Sequence, residues 1–130
     1  MTDFATMRLP AEPTVAAPDG SDVRVLLALD AGSMAHFTLA AGTIARAVVH
    51  RTVEEIWYVV GGRGEMWRRQ GDREDIVTLE QGICLTIPVG TLFQFRAAAE
   101  AELAIVAVTM PPWPGEDEAV FVDGRWTATA

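Results

Sequence analysis

An all-β barrel or sandwich is the fold class this chain predicts, and three observations carry that reading. Apolar and β-branched runs of five to eight residues recur from Asp22 to Met110. Short clusters of Gly, Pro and Asp separate them at close spacing, as turns between strands require. No stretch combines helical periodicity with start and stop signals over three turns. Nine short strands with tight turns belong to a closed or double-sheet architecture.

The strands follow in order. Residues 1–21 hold three prolines and few large apolar groups, and read as an extended arm or an added edge strand. Asp22–Leu29 alternates, with Val23, Val25, Leu27 and Leu29 on one face. Asp30-Ala31-Gly32 turns into Ser33–Leu39, where Met34, His36 and Thr38 share one face and Ala35, Phe37 and Leu39 the other. Thr43–His50 and Glu54–Val60 are two β-branched runs. Gly61, Gly62 and Gly64 then allow a tight turn, because glycine accepts positive φ without steric cost. Gly64–Arg69 and Asp75–Leu79 flank a polar loop, Gln70–Glu74. Ile83–Ile87, Thr91–Phe95 and Leu103–Met110 complete the set, with the breaker Pro88-Val89-Gly90 between the first two. Residues 22–110 are therefore expected to form a single barrel domain. Residues 111–130 carry three prolines with Trp113, Phe121 and Trp126, and are expected to pack along the barrel or a partner subunit, or to cover a barrel mouth with Trp113.

The centre of the chain places a histidine, His50, at one strand end and a glutamate, Glu55, at the start of the next. A nitrogen ligand and a carboxylate on adjoining strand ends suit a metal or an acid/base site. The spacing runs Gly42, five residues, Val48, one, His50, four, Glu55, six, Gly62. A second spaced set runs Gly82, five, Pro88, one, Gly90, two, Phe93, three, Ala97. Both resemble the two motifs of the cupin family, without gaps, and the similarity extends over roughly residues 22–110. The resemblance implies a small, single-domain cupin jelly-roll barrel. It also implies a metal site of three histidines and a glutamate, of which only His50 and Glu55 are present. Val48 and Phe93 stand at the other two positions.

Composition narrows the function classes. A net charge of −8 argues against nucleic acid and against an anionic membrane surface as partner. Every basic residue is arginine, so Schiff-base chemistry on a lysine is excluded. Cys84 is the only cysteine; no internal disulfide can form, and between Ile83 and Leu85 it reads as a small buried hydrophobe. The first residues contain an early acid and no apolar run, so a cytoplasmic protein is expected.

The preferred expectation is a cavity for a small, partly apolar molecule, with no tight metal site. Arg46, Val48, Trp57, Phe93 and Phe95 would line it, and His50 and Glu55 would be its polar or catalytic groups. Arg46 would pair with Glu55 or hold a ligand carboxylate. One alternative is a metal-dependent oxygenase or isomerase, with iron, zinc, manganese or nickel on His50, Glu55 and His36. Another is a metal-free isomerase or lyase with His50 as base, since its reference pKa is about 6.5. A third is a packed barrel acting as a regulatory or assembly module. A homodimer is expected from the apolar strands and the Pro-Trp tail, together with the habit of the family resembled.

Overall fold

The computed structural model describes residues 2–130; Met1, the first residue of the predicted arm, lies outside them. The strands are β1 (Val15–Ala16), β2 (Asp22–Leu29), β3 (Gly32–Leu39), β4 (Val48–His50), β5 (Glu54–Gly61), β6 (Arg63–Gln70), β7 (Arg73–Glu80), β8 (Cys84–Ile87), β9 (Leu92–Ala97), β10 (Leu103–Met110) and β11 (Ala119–Phe121), with a short 3₁₀ turn at Glu116–Glu118. They form two antiparallel sheets. One has the order β1-β2-β3-β10-β5-β8, the other β11-β4-β9-β6-β7. This is the expected all-β jelly roll, with two strands beyond the nine read from the sequence. No helix among the described residues is long and apolar enough to cross a membrane.

Strand alternation builds the core between the sheets. Trp57, Val59, Leu103, Ile105, Leu85 and Ile87 project from the first sheet, and Val48, Phe93, Phe95, Met66 and Leu79 from the second. The outer faces differ. The second sheet is covered by the tail, where the Trp126 backbone N–H donates to Gln94 Oε1 and Gln94 Nε2 donates to the carbonyls of Ala45 and Trp126. The first sheet leaves Ile56, Tyr58 and Val60 of β5 and Met34 of β3 exposed.

Four expectations need correction. Asp22–Leu29 does not keep Val23, Val25, Leu27 and Leu29 on one face: a register irregularity between Val25 and Ala28 brings Leu26 and Ala28 to the cavity and leaves Leu27 and Leu29 exposed. The run Thr43–His50 is strand only from Val48 onward. Its first half is held piecemeal, by Ala45 N–H to Phe95 O, by Arg46 N–H to Asp19 O, and by Thr129 N–H to Ile44 O. The polar loop after β6 shrinks to Gly71-Asp72, because the charged residues around it pair across the hairpin, Gln70 with Arg73 and Arg69 with Glu74. Cys84 is exposed, since Leu85 and Ile87 take the inward positions of β8 and leave it on the outer face.

Gly62 is where the backbone demands glycine. Its φ is +80°, and a Cβ there would lie 2.0 Å from the Glu102 carbonyl oxygen. Gly71 has φ +58° but open space around it. Gly62→Ala should therefore cost at least about 3 kcal/mol, against about 1 kcal/mol for Gly71→Ala. Urea unfolding of the two variants measures the difference, and equal losses would contradict the close approach.

Candidate functional site

The site lies at one end of the barrel, where the chain crosses from the second sheet to the first. β4 turns Val48 and His50 inward and leaves Val49 between them half-buried on the other face. Arg51–Val53 make the crossing, and β5 then turns Glu55 and Trp57 inward. His50 Nδ1 comes within 3.2 Å of Glu55 Oε2, so one contact bridges the sheets. Both side chains are more than nine-tenths buried.

The crossing is pinned from outside the barrel. Glu118, in the 3₁₀ turn, accepts from the backbone N–H groups of Thr52 (2.7 Å) and Val53 (2.8 Å) and from the Thr52 hydroxyl (2.6 Å). β11 follows at once and pairs with β4, Ala119 opposite His50. The tail just before this turn lays Trp113 over the site, its ring 5.1 Å from the His50 ring. The Trp113 backbone N–H donates to Ser33 Oγ at 3.0 Å, and Ser33 in turn shares a hydrogen bond with Thr109. Thr109 pairs with Ser33 on one side and with Glu55 on the other, so a polar rung crosses three strands at the barrel mouth.

Beneath Trp113 is a cavity of about 360 Å³. Its walls are largely apolar, from Val23 and Val25 of β2, Phe37 of β3, Val48 of β4, Trp57 of β5 and Phe93 of β9. The rings meet edge to face: Trp57 lies 5.7 Å from Phe37 and 5.9 Å from Phe93, and His50 lies 5.1 Å from Phe93. The ionisable groups on the lining are Asp19, His50 and Glu55. The Trp57 indole N–H is buried there without a hydrogen-bond partner of good geometry. Leaving such a donor unmet costs about 1–3 kcal/mol.

Burial sets the protonation states. It pushes the Glu55 carboxyl up to about 8; the Trp57 N–H opposes the rise, while Asp19 and Glu118 add to it. Burial also pushes His50 down to about 4, with Glu118 opposing. The pair is thus neutral at pH 7, with the proton on the carboxyl, which can donate to the otherwise unpartnered Nδ1 of His50. Asp19 is raised by burial as well, partly offset by hydrogen bonds from the Ser21 N–H and hydroxyl.

The sequence-derived residues divide into two groups. His50, Glu55, Val48, Trp57 and Phe93 come together on the cavity wall. Phe95 is buried one layer deeper, its ring 5.0 Å from Trp57. Arg46 is exposed in the irregular segment before β4, its guanidinium 3.5 Å above the Phe121 ring, so it neither pairs with Glu55 nor reaches the cavity. His36 sits on the outer face of the first sheet, between Arg24 and Val106, because Ala35 and Phe37 take the inward positions of β3. Among the described residues no group of three or more His, Cys, Asp or Glu is placed to hold a metal ion. His50 and Glu55 alone, in a neutral pair, do not fit a tight divalent site, which takes at least three protein ligands. Phe37, Ser33, Thr109 and Asp19 were not singled out from the sequence. Only the alternation around Phe37 carried a signal, once its face was known to be the inner one.

No protein-family model matches the chain, and no curated protein does. Solved structures do match it. The chain is similar to an uncharacterized conserved protein with a double-stranded β-helix domain from Klebsiella pneumoniae, with 17% identity, 80% of this chain and 85% of that one covered, and a TM-score of 0.63. It is similar to KdgF from a Halomonas species, with 17% identity over 77% of this chain and 87% of that one, and a TM-score of 0.65. It also resembles a variant of oxalate decarboxylase from Bacillus subtilis, with 14% identity, 85% of this chain but 30% of that one covered, and a TM-score of 0.71. The fold is the double-stranded β-helix, or cupin-like, fold.

The two pKa shifts give a pH dependence of stability. Between about 4 and 6.5 the unfolded chain takes up a proton on His50 that the folded chain refuses, so stability from this group rises with pH. Between about 4.5 and 8 the folded chain keeps a proton on Glu55 that the unfolded chain releases, so stability from that group falls with pH. The two cancel where they overlap, and Glu55 alone acts from about 6.5 to 8. Stability should drop there by up to about 2 kcal/mol, at about 1.4 kcal/mol per pH unit. Urea unfolding at pH 6.5 and 8 should show the drop in the native protein and its loss in Glu55→Gln. An unchanged slope in the variant would mean that Glu55 ionises normally.

Proposed function

We propose that this protein binds a small, partly apolar molecule inside the barrel, without a tightly held metal. The single observation that carries this reading is the cavity of about 360 Å³ beneath Trp113, apolar in its walls and polar at a few points. Ligand sites are commonly clefts of this order, with few polar groups to set orientation. Here those groups are the Trp57 N–H, the Glu55 carboxyl and the Thr109 hydroxyl. A barrel packed shut would have no such space, so the assembly-module reading has the least support.

A second reading rests on the His50–Glu55 contact. Two titratable groups with opposed shifts, touching inside one cavity, are a common mark of proton-transfer chemistry. In that reading the protein is a metal-free isomerase or lyase. Glu55, which holds the proton, gives one to the substrate as acid, and His50 takes one from the substrate as base, so the expected lone base gains an acid partner. The metal-dependent alternative would need a third donor, and His36 faces away.

A neutral aromatic alcohol, 2-phenylethanol, is a suitable probe for binding. Titrated into the native protein, it should move the Trp57 and Trp113 indole N–H resonances saturably. Ala35→Phe, which fills the cavity at an estimated stability cost of about 1–3 kcal/mol, should abolish the shifts. Absence of any saturable shift in the native protein would sink the binding reading. Metal content by mass spectrometry, on protein prepared without tag or chelator, should be well below stoichiometric and the same in His50→Ala. Near-stoichiometric iron, zinc, manganese or nickel that departs with His50 would overturn the metal-poor reading.

A further inference from the structure

The cavity's charge pattern says more about its guest than its volume does. Its lining includes two carboxyl groups, Asp19 and Glu55, and no arginine. Arg46, the residue best placed in the sequence to neutralise a ligand carboxylate, stacks on Phe121 outside. Glu118, buried and hydrogen-bonded as an acceptor only, adds a third carboxylate just behind His50. The sole nitrogen base inside, His50, already faces Glu55 at 3.2 Å and is walled by Phe93 and Trp113.

The aromatic lining acts in the same direction. Phe37, Trp57, Phe93 and Trp113 share the cavity lining with the two carboxyl groups, and aromatic faces attract cations through their quadrupole. An anion would lose its water there and meet no cationic partner, which is strongly unfavourable in an apolar site. The buried indole N–H of Trp57, 1% exposed and unpartnered, lies on the carboxyl side and can support Glu55 as an acceptor.

We infer, building on the binding reading above, that the cavity selects an organic cation with an apolar body, such as an alkyl- or arylammonium, and rejects carboxylates of the same size. The ammonium end would sit against Glu55 and Asp19 and the apolar body farther along the aromatic wall. The Glu55 carboxyl, raised to about 8 by burial, would release its proton to solvent as the cation takes its place. The class is set by chemistry present in the wall: acceptors and π faces, with no guanidinium.

Three probes of one size test this: phenethylamine, 2-phenylethanol and phenylacetate, titrated at pH 7 and followed by the Trp57 and Trp113 indole resonances. Phenethylamine should bind at least tenfold tighter than phenylacetate, with the alcohol between them. In Glu55→Gln the amine should lose most of its advantage while the alcohol still binds. Phenylacetate binding as well as or better than phenethylamine would overturn the charge selection and leave the cavity reading standing. Failure of all three probes would overturn both. The comparison in the native protein needs no variant, so a poorly folded Glu55→Gln would not blunt it. An amine preference that survived in a well-folded Glu55→Gln would remove Glu55 from the recognition.

Discussion

One carboxylate outside the barrel holds the barrel's mouth together. Glu118 accepts three hydrogen bonds from Thr52 and Val53, the residues that carry the chain from one sheet to the other. The crossing has no ladder of its own, so its backbone donors would be buried at a cost without a partner. With Glu118 in place, His50 and Glu55 approach to 3.2 Å across the gap between sheets. The same turn leads into β11, which closes the edge of β4. It also follows the segment that lays Trp113 over His50.

Three carboxyl groups lie near this point, and donor count separates them. Glu118 is buried, yet its three donors outweigh burial and hold it below the usual carboxylate range. Asp19 has two donors from Ser21, and burial still prevails, so it is raised. Glu55 has no donor in full hydrogen-bond geometry, and burial raises it to about 8. Low dielectric acts on all three; hydrogen bonding to the charged form decides which of them keeps its charge. The result is a fixed anion behind the site and a neutral, protonated group within it.

The fold was legible in the sequence because strand alternation and glycine turns are local signals. The motif spacing also found His50 and Glu55, and alternation placed Val48, Trp57 and Phe93 with them. The failures share a cause. Alternation gives two faces but does not say which is inward, and His36 and Cys84 both fell on the outer one. Arg46 failed differently. Ala47 and Val48 are both buried, so the phase slips where irregular chain becomes strand, and counting back from His50 put Arg46 on the wrong side. Glu118 and Asp19 belong to segments without periodicity. Trp113, offered from the sequence as one of the tail's options to cover a barrel mouth, does lie over His50, though nothing local set that choice. Their positions are set by contacts with residues distant in the chain, such as Glu118 with Thr52 and Trp113 with Ser33, and no local pattern encodes those.

The roof of the cavity is not made by the strands that make its walls. Trp113 hangs from the side chain of Ser33, and the rest of its segment is anchored through Glu118, so the covering piece meets the barrel mainly through side chains at two points. A strand residue that lines the cavity must also satisfy a ladder and a packed layer, and its tolerance for exchange is small. The roof carries neither burden. Substitutions around residues 111–115 can change the height and chemistry of the cavity while the sheets stay as they are. Across descendants of such a chain, the cover of the cavity would drift fastest, in the part of the sequence that a barrel motif does not reach.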